Sequence, residues 1–139
     1  MPRTKVSVPD VAEVAPGLWS NAIRVGDMLF ISGQVARPFE GGTGIVGKDE
    51  YEQTRQIFSR IDRIIKAAGG TMDNFVKMTI YVVDIKNNTE VWRARREFLH
   101  RRFSSFHACR GAVPCKAGSV GGDRNRRLSR KELKFRFGC

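Results

Sequence analysis

The sequence predicts an α+β sandwich, a mixed sheet carrying two helices on one face, and three observations lead there. Apolar residues recur at three- and four-residue steps from Thr54 to Ala68. A run rich in β-branched and aromatic residues spans Phe75 to Val83, with Lys77 and Thr79 alternating against Val76, Met78 and Ile80. Before both, Gly26-Asp27 separates two apolar stretches at the spacing of a two-residue hairpin turn.

The elements follow in order. Trp19 to Val25 alternates weakly and predicts the first hairpin strand. Met28-Leu29-Phe30-Ile31 is a continuous apolar run ending at Ser32-Gly33-Gln34, which reads as a second strand buried on both faces. Residues 36–48 hold Pro38, Gly41, Gly42, Gly44 and Gly47 and predict a loop. The helix begins at Asp49, with Thr54, Ile57, Phe58, Ile61, Ile64, Ile65 and Ala68 on one stripe. Gln53, Arg55, Arg60, Asp62, Arg63 and Lys66 fall largely outside that stripe, and Gly69-Gly70 supplies the stop. The strand at Phe75–Val83 reads as central and closes at Asp84. Asn87-Asn88-Thr89 caps a second helix from about Glu90 to about Leu99, with Val91, Ala94, Arg95 and Phe98 on one face. A strand, a long helix and a strand in succession imply a crossover connection. The sheet face opposite the helices then needs another surface to cover it, so self-association is expected.

Charge divides the chain at Leu99. Up to that residue 14 Lys/Arg face 12 Asp/Glu, whereas residues 100–139 hold 11 Lys/Arg against Asp123 and Glu132, so +9 of the formal +11 lies in the tail. Cys109, Cys115 and Cys139 all fall there as well. The organisation is therefore an N-terminal segment (1–15), one ordered domain (16–99) and a basic tail (100–139) with no readable period. Few large apolar side chains lie in the tail, which predicts a largely disordered or loosely attached segment. Neither a disulfide framework nor a zinc site fits the cysteine spacing with His107 as the nearby histidine. Residues 1–10 lack the apolar core of a signal peptide, and no run reaches the roughly 20 apolar residues of a membrane span. The expectation is a soluble cytoplasmic protein with no membrane partner.

Several segments together resemble one known family. Trp19-Ser20-Asn21-Ala22 is followed by Val25 to Gln34, then Gln53-Thr54-Arg55-Gln56, Ala67-Ala68-Gly69-Gly70, Val76-Lys77-Met78-Thr79 and Val83-Asp84. Each is weak alone, but their order and spacing from about Pro16 to Leu99 resemble the RidA/YjgF family of reactive-intermediate imine deaminases. The resemblance implies a chorismate-mutase-like fold forming a homotrimer with clefts between subunits. It implies a hydrolase-type reaction without cofactor or metal, turning 2-iminobutanoate or 2-iminopropanoate into a 2-keto acid and ammonia. In that family an arginine holds the substrate carboxylate through its planar fork, and a carboxylate in the last strand positions water.

Carried onto this chain, the resemblance gives substrate-binding positions at Trp19, Ser32 and Gly33 and no catalytic residue. Trp19 stands where the family has tyrosine, and Trp92 where active members have asparagine. The family arginine sits in a Pro-Ala-Arg-Ser motif with no clear match. Arg110 is nearest, within His107-Ala108-Cys109-Arg110-Gly111. Each position also has a plain structural reading: Ser32 and Gly33 ending a strand, Trp19 packing, Arg110 a solvated charge.

A one-nucleotide gain between the codons of Leu99 and His100 accounts for the tail. Phe103-Ser104-Ser105-Phe106-His107 can be encoded so that the shifted frame reads Phe-Pro-Ala-Ser. Residues Ser119 to Arg127 can likewise yield Arg-Ser-Val-Glu-Ile-Glu-Ile-Glu-Gly, and Leu133-Lys134 can hide a stop codon. The same shift turns codons for Glu-Ile-Glu into Arg-rich text. The recovered motif still has serine in place of arginine, at the codons around Phe106, which places the parent in the arginine-lacking branch. Three functions therefore stand open: an imine deaminase with impaired or no activity, a non-catalytic trimer binding a small carboxylate-bearing metabolite, and RNA binding through the basic run Arg124–Lys131. The last would rest on counterion release by the clustered charges. The frameshift reading argues against it.

Overall fold

A computed structural model describes residues 1–13, 15 and 17–100, together with the backbone of Ser105–Arg110 and Lys134–Arg136. The order of elements is β1 (Arg3–Lys5), β2 (Ala22–Val25), β3 (Met28–Ile31), β4 (Gln34–Val35), α1 (Glu50–Ala67), β5 (Lys77–Val82), α2 (Asn88–Phe98), β6 (Ser105–Arg110) and β7 (Lys134–Arg136). Strands β1, β2 and β3 form one antiparallel sheet, and the second sheet has the order β4-β7-β5-β6. Strand β5 is parallel to β6 and antiparallel to β7, so the second sheet is mixed. The α+β class read from the sequence is the class observed.

The hairpin forms where the sequence places it. Val25 pairs Met28 across Gly26-Asp27, and only Gly26 of the two has a positive φ, +56°. A first turn residue with positive φ matches the twist of the flanking strands, and glycine takes it without a Cβ clash. Strand β3 is not buried on both faces as the apolar run suggested. Leu29 and Ile31 turn toward the interior, whereas Met28 is 42% and Phe30 38% exposed. Phe30 pairs Ile23, itself exposed, so the hairpin presents an apolar outer face. Strand β1 went unread because the first residues are polar. It pairs β2 from Arg3↔Val25 to Lys5↔Ile23, and Val6 and Val11 beyond it enter the core.

Helix α1 starts where Asp49 accepts a hydrogen bond from the Glu52 amide at 2.8 Å, satisfying a donor the first turn leaves open. It ends where the Gly69 amide bonds the Lys66 carbonyl and the Gly70 amide the Ile65 carbonyl, with Gly69 at φ +83°. That pair of bonds is the Schellman arrangement. Helix α2 begins at Asn88, about two residues before the sequence suggested. Asn87 makes no side-chain cap and instead donates from Nδ2 to Glu50 on α1 at 2.8 Å.

Ile57, Phe58, Ile61 and Ile64 of α1 meet Val91 of α2 and the inward residues Met78, Ile80 and Val82 of β5 in one buried cluster. The alternation in β5 thus assigns one face to the core and leaves Lys77, Thr79 and Tyr81 on the other. Strands β6 and β7 lie in the stretch where the sequence gave no period. The remainder of the tail, including the basic run Arg124–Lys131, Cys115 and Cys139, lies outside the described residues. Among the described residues no helix is long and apolar enough to cross a membrane.

Candidate functional site

The strand pair β2–β3 ends in a knot of backbone bonds that holds the three sequence-read site positions together. The Ser32 amide donates to the Asn21 carbonyl at 2.9 Å. The Ser32 hydroxyl donates to the carbonyl of Ser20, next to Trp19, at 2.6 Å. Asn21 is buried and anchors the strand entrance by donating from Nδ2 to the Val11 carbonyl at 2.9 Å. Trp19 is 52% exposed beside this knot, and Gly33 is exposed at the break between β3 and β4. With its proton given to Ser20, the Ser32 hydroxyl has only its lone pairs left for a ligand. It is an acceptor and a positioning group, not an activated nucleophile.

Strand register locates the other candidates. Gln34, Phe135, Ile80 and Ala108 lie in one row across β4, β7, β5 and β6. Strands β4 and β6 run in the same direction, so Ser32 and Phe106, each two residues before that row, share a level. Arg110 lies two residues past the row, opposite Val82 on the edge strand. Three strand spacings, about 14 Å, separate β4 from β6. The backbone therefore does not bring Arg110 to Ser32 within one chain. Trp92 is in the second turn of α2 and 43% exposed.

A group the sequence reading missed lies behind Ser32. Gln34 is buried, and its Nε2 donates to the Ser32 carbonyl at 3.1 Å. Its Oε1 accepts from Arg60 Nε at 3.3 Å. Arg60 was read as lying off the apolar stripe, yet it is only 2% exposed. Its Nη1 donates to the carbonyls of Pro38 at 2.6 Å and Arg37 at 3.4 Å, tying the 36–48 loop to α1. Burial, and then the neighbouring Arg37 charge, push the Arg60 pKa down. A chain of contacts thus runs from the exposed Ser32 position to a buried cation. The signal that could have found it was Gln34, polar directly after a buried strand.

Two further features border the site. A pocket of about 390 Å³ opens between the hairpin and the start of β5, with Met28, Leu29, Ile31, Phe75, Val76 and Lys77 among its walls. On the helix side, Tyr51 donates to Glu97, and the Arg93 and Arg55 guanidinium groups lie 4.0 Å and 5.8 Å from its ring centroid. Arg55 also pairs with Glu97 at 2.8 Å.

Known proteins share this arrangement. The family model for endoribonuclease L-PSP matches residues 11–119. A RutC family protein of Aquifex aeolicus is 42% identical over 80 residues, which are 58% of this chain and 62% of that protein's length. A 2-iminobutanoate/2-iminopropanoate deaminase of Salmonella typhimurium is 29% identical over 105 residues, 76% of this chain and 80% of that protein. Among solved structures, RidA from an Antarctic Psychrobacter superposes with a TM-score of 0.71 at 23% identity, covering 96% of this chain and 97% of that one. Yeast Mmf1 superposes at 0.74 and 19% identity, covering 96% and 94%. At such identities the structural likeness speaks to the fold.

Proposed function

The chain belongs to the endoribonuclease L-PSP family, the RidA/YjgF proteins, and on that premise we propose that it is an imine deaminase relative with little or no turnover. The deaminase reaction adds water across the C=N bond of a 2-imino acid, releasing ammonia and leaving a 2-keto acid. It needs a cation to hold the substrate carboxylate and an acceptor to hold water or the imine N–H. Ser32 and Trp19 supply one wall and an acceptor.

The observation that carries the reading is the level shared by Ser32 and Phe106. The shifted frame places the family's arginine position at the codons around Phe106, and the present chain has an aromatic residue there. Arg110 stands past the row on the edge strand. A carboxylate clamp needs a fixed fork on a rigid support, and a displaced guanidinium does not provide one. With about 14 Å between β4 and β6, a cleft that uses both walls is formed between chains, which favours a trimeric assembly. The exposed apolar hairpin face of Ile23, Met28 and Phe30 supports self-association.

The test is keto-acid release from freshly generated 2-iminopropanoate at micromolar protein. The expected rate equals that of buffer. Acceleration comparable with arginine-bearing relatives would reject the reading. Thermal stabilisation by a 2-keto acid without turnover would assign the chain to the binding class.

A further inference from the structure

We propose that Arg37 and Arg60 form an anion-binding pocket, distinct from the Trp19–Ser32 cleft, that takes a small oxyanion carrying one phosphate or carboxylate group. The pocket has a volume of about 160 Å³, and its walls include Glu13, Arg37, Gly41, Gly42, Thr43 and Arg60. A phosphate or a short-chain carboxylate fits that space, whereas a nucleotide does not.

Three observations point to an anion. Arg60 is almost wholly buried, and no carboxylate lies within 4 Å of it among the described residues. Its three hydrogen bonds use Nε and Nη1 with neutral acceptors, which leaves the positive charge uncompensated. Arg37 stands on the same pocket with its Nε–H buried and without an acceptor among the described residues. Two guanidinium groups with no acid between them are costly to bury together, and an oxyanion with several lone pairs repairs both defects at once. Glu13 is the one carboxylate on the wall, and its charge is held by Lys5 Nζ at 2.9 Å. It sets the sign of a further effect, since it opposes a second negative charge. This site uses none of the residues on which the proposed function rests.

The experiment titrates the full chain with inorganic phosphate and, separately, with propionate. Ionic strength is held constant with chloride, and thermal midpoint and the side-chain Nε–H resonance of Arg37 are followed. Saturable stabilisation with a shift of that resonance is expected, and the tighter of the two anions identifies the source. Arg37→Ala deletes no hydrogen bond of its side chain among the described residues, so it leaves the fold intact. It is expected to weaken binding by about ten- to a hundredfold, the worth of a charge-assisted contact. Glu13→Gln is expected to tighten binding. No saturable response to either anion, or equal affinity in Arg37→Ala, overturns the proposal. So does binding that arises only in Glu13→Gln, because Glu13 would then be the native counter-charge.

Discussion

Phe58 of α1 and Phe98 of α2 stack with ring centroids 5.5 Å apart and planes inclined by 18°. The contact fastens the last turn of α2 to the middle of α1, where Phe58 is fully buried. Phe58→Ala removes the ring and its stacking partner together, and a loss of about 3–5 kcal/mol is expected. Phe58→Leu keeps most of the volume and is expected to cost under about 1.5 kcal/mol. Urea unfolding of the two variants checks the difference. Equal losses would mean that the site collapses around either side chain.

The apolar outer face of the hairpin makes a prediction about assembly. Phe30→Lys places a charge on a residue that is already 38% exposed, so the isolated fold is expected to keep its stability. Concentration-dependent self-association of the parent chain is expected to disappear in the variant. Sedimentation equilibrium at several loading concentrations reads this directly. An unchanged mass distribution would move the interface to another face.

Tyr51 makes a prediction about alkaline pH. Its hydrogen bond to Glu97, then desolvation and the Glu97 charge, raise the phenol pKa above the ordinary 10.0. A raised folded-state pKa means that the neutral phenol is the form the fold prefers. The contribution is therefore complete below about pH 10 and fades as pH rises through the folded value. In ultraviolet titration Tyr51→Phe is expected to remove the later of the phenolate steps, and its stability profile is expected to be flatter in that window. The ring remains in the variant, so the Arg93 contact at 4.0 Å is retained. A parent chain whose phenolate steps both fall below pH 10 would contradict the assignment.

Frame restoration after Leu99 makes a prediction about both assembly and chemistry. The restored chain carries the alternating acidic strand in place of Arg-rich text, and a tight, thermally stable trimer is expected by light scattering. Its imine hydrolysis is expected to stay well below that of arginine-bearing relatives, because serine occupies the carboxylate-binding position. Full activity in the restored chain would show that another group holds the carboxylate. A stable trimer of the unrestored chain would count against the frameshift itself.

Elements whose order is local were legible in the sequence. The α1 stripe, the Gly26-Asp27 turn and the alternation of β5 each follow from a period or a turn requirement that a few residues carry alone. Misread features were set by distant partners. The apolar run Met28–Ile31 looked doubly buried, yet burial of Met28 and Phe30 depends on what covers the sheet, which the chain's own sequence does not encode locally. Arg60 looked like a surface residue because its charge outweighs its position. Gln34 and the carbonyls of residues 37 and 38, more than 20 positions earlier, take it inside. Asn87 had the side chain of a cap, but Glu50, 37 residues away, competes for it. Of the site, Ser32 and its neighbours were legible from motif order. The guanidinium pair behind them was not, because no local pattern marks two arginines whose meeting depends on a loop.

Strand β7 clasps Gln34–Val35 on one side and Thr79–Tyr81 on the other, while β1 to β3 belong to a separate sheet. The backbone passes from one sheet to the other through Ser32-Gly33, where the site residues stand. The molecule thus has a seam, and the ligand-facing positions are its stitches. Any force that parts the sheets, whether thermal opening or the pull of a neighbouring subunit, acts first on the Ser32–Ser20 and Gln34–Arg60 bonds. Amides of β1 to β3 should then exchange with solvent as one cooperative unit, earlier than those of β5. Occupancy of the Trp19 cleft and of the arginine pocket would be felt as a change in how easily that seam unfastens.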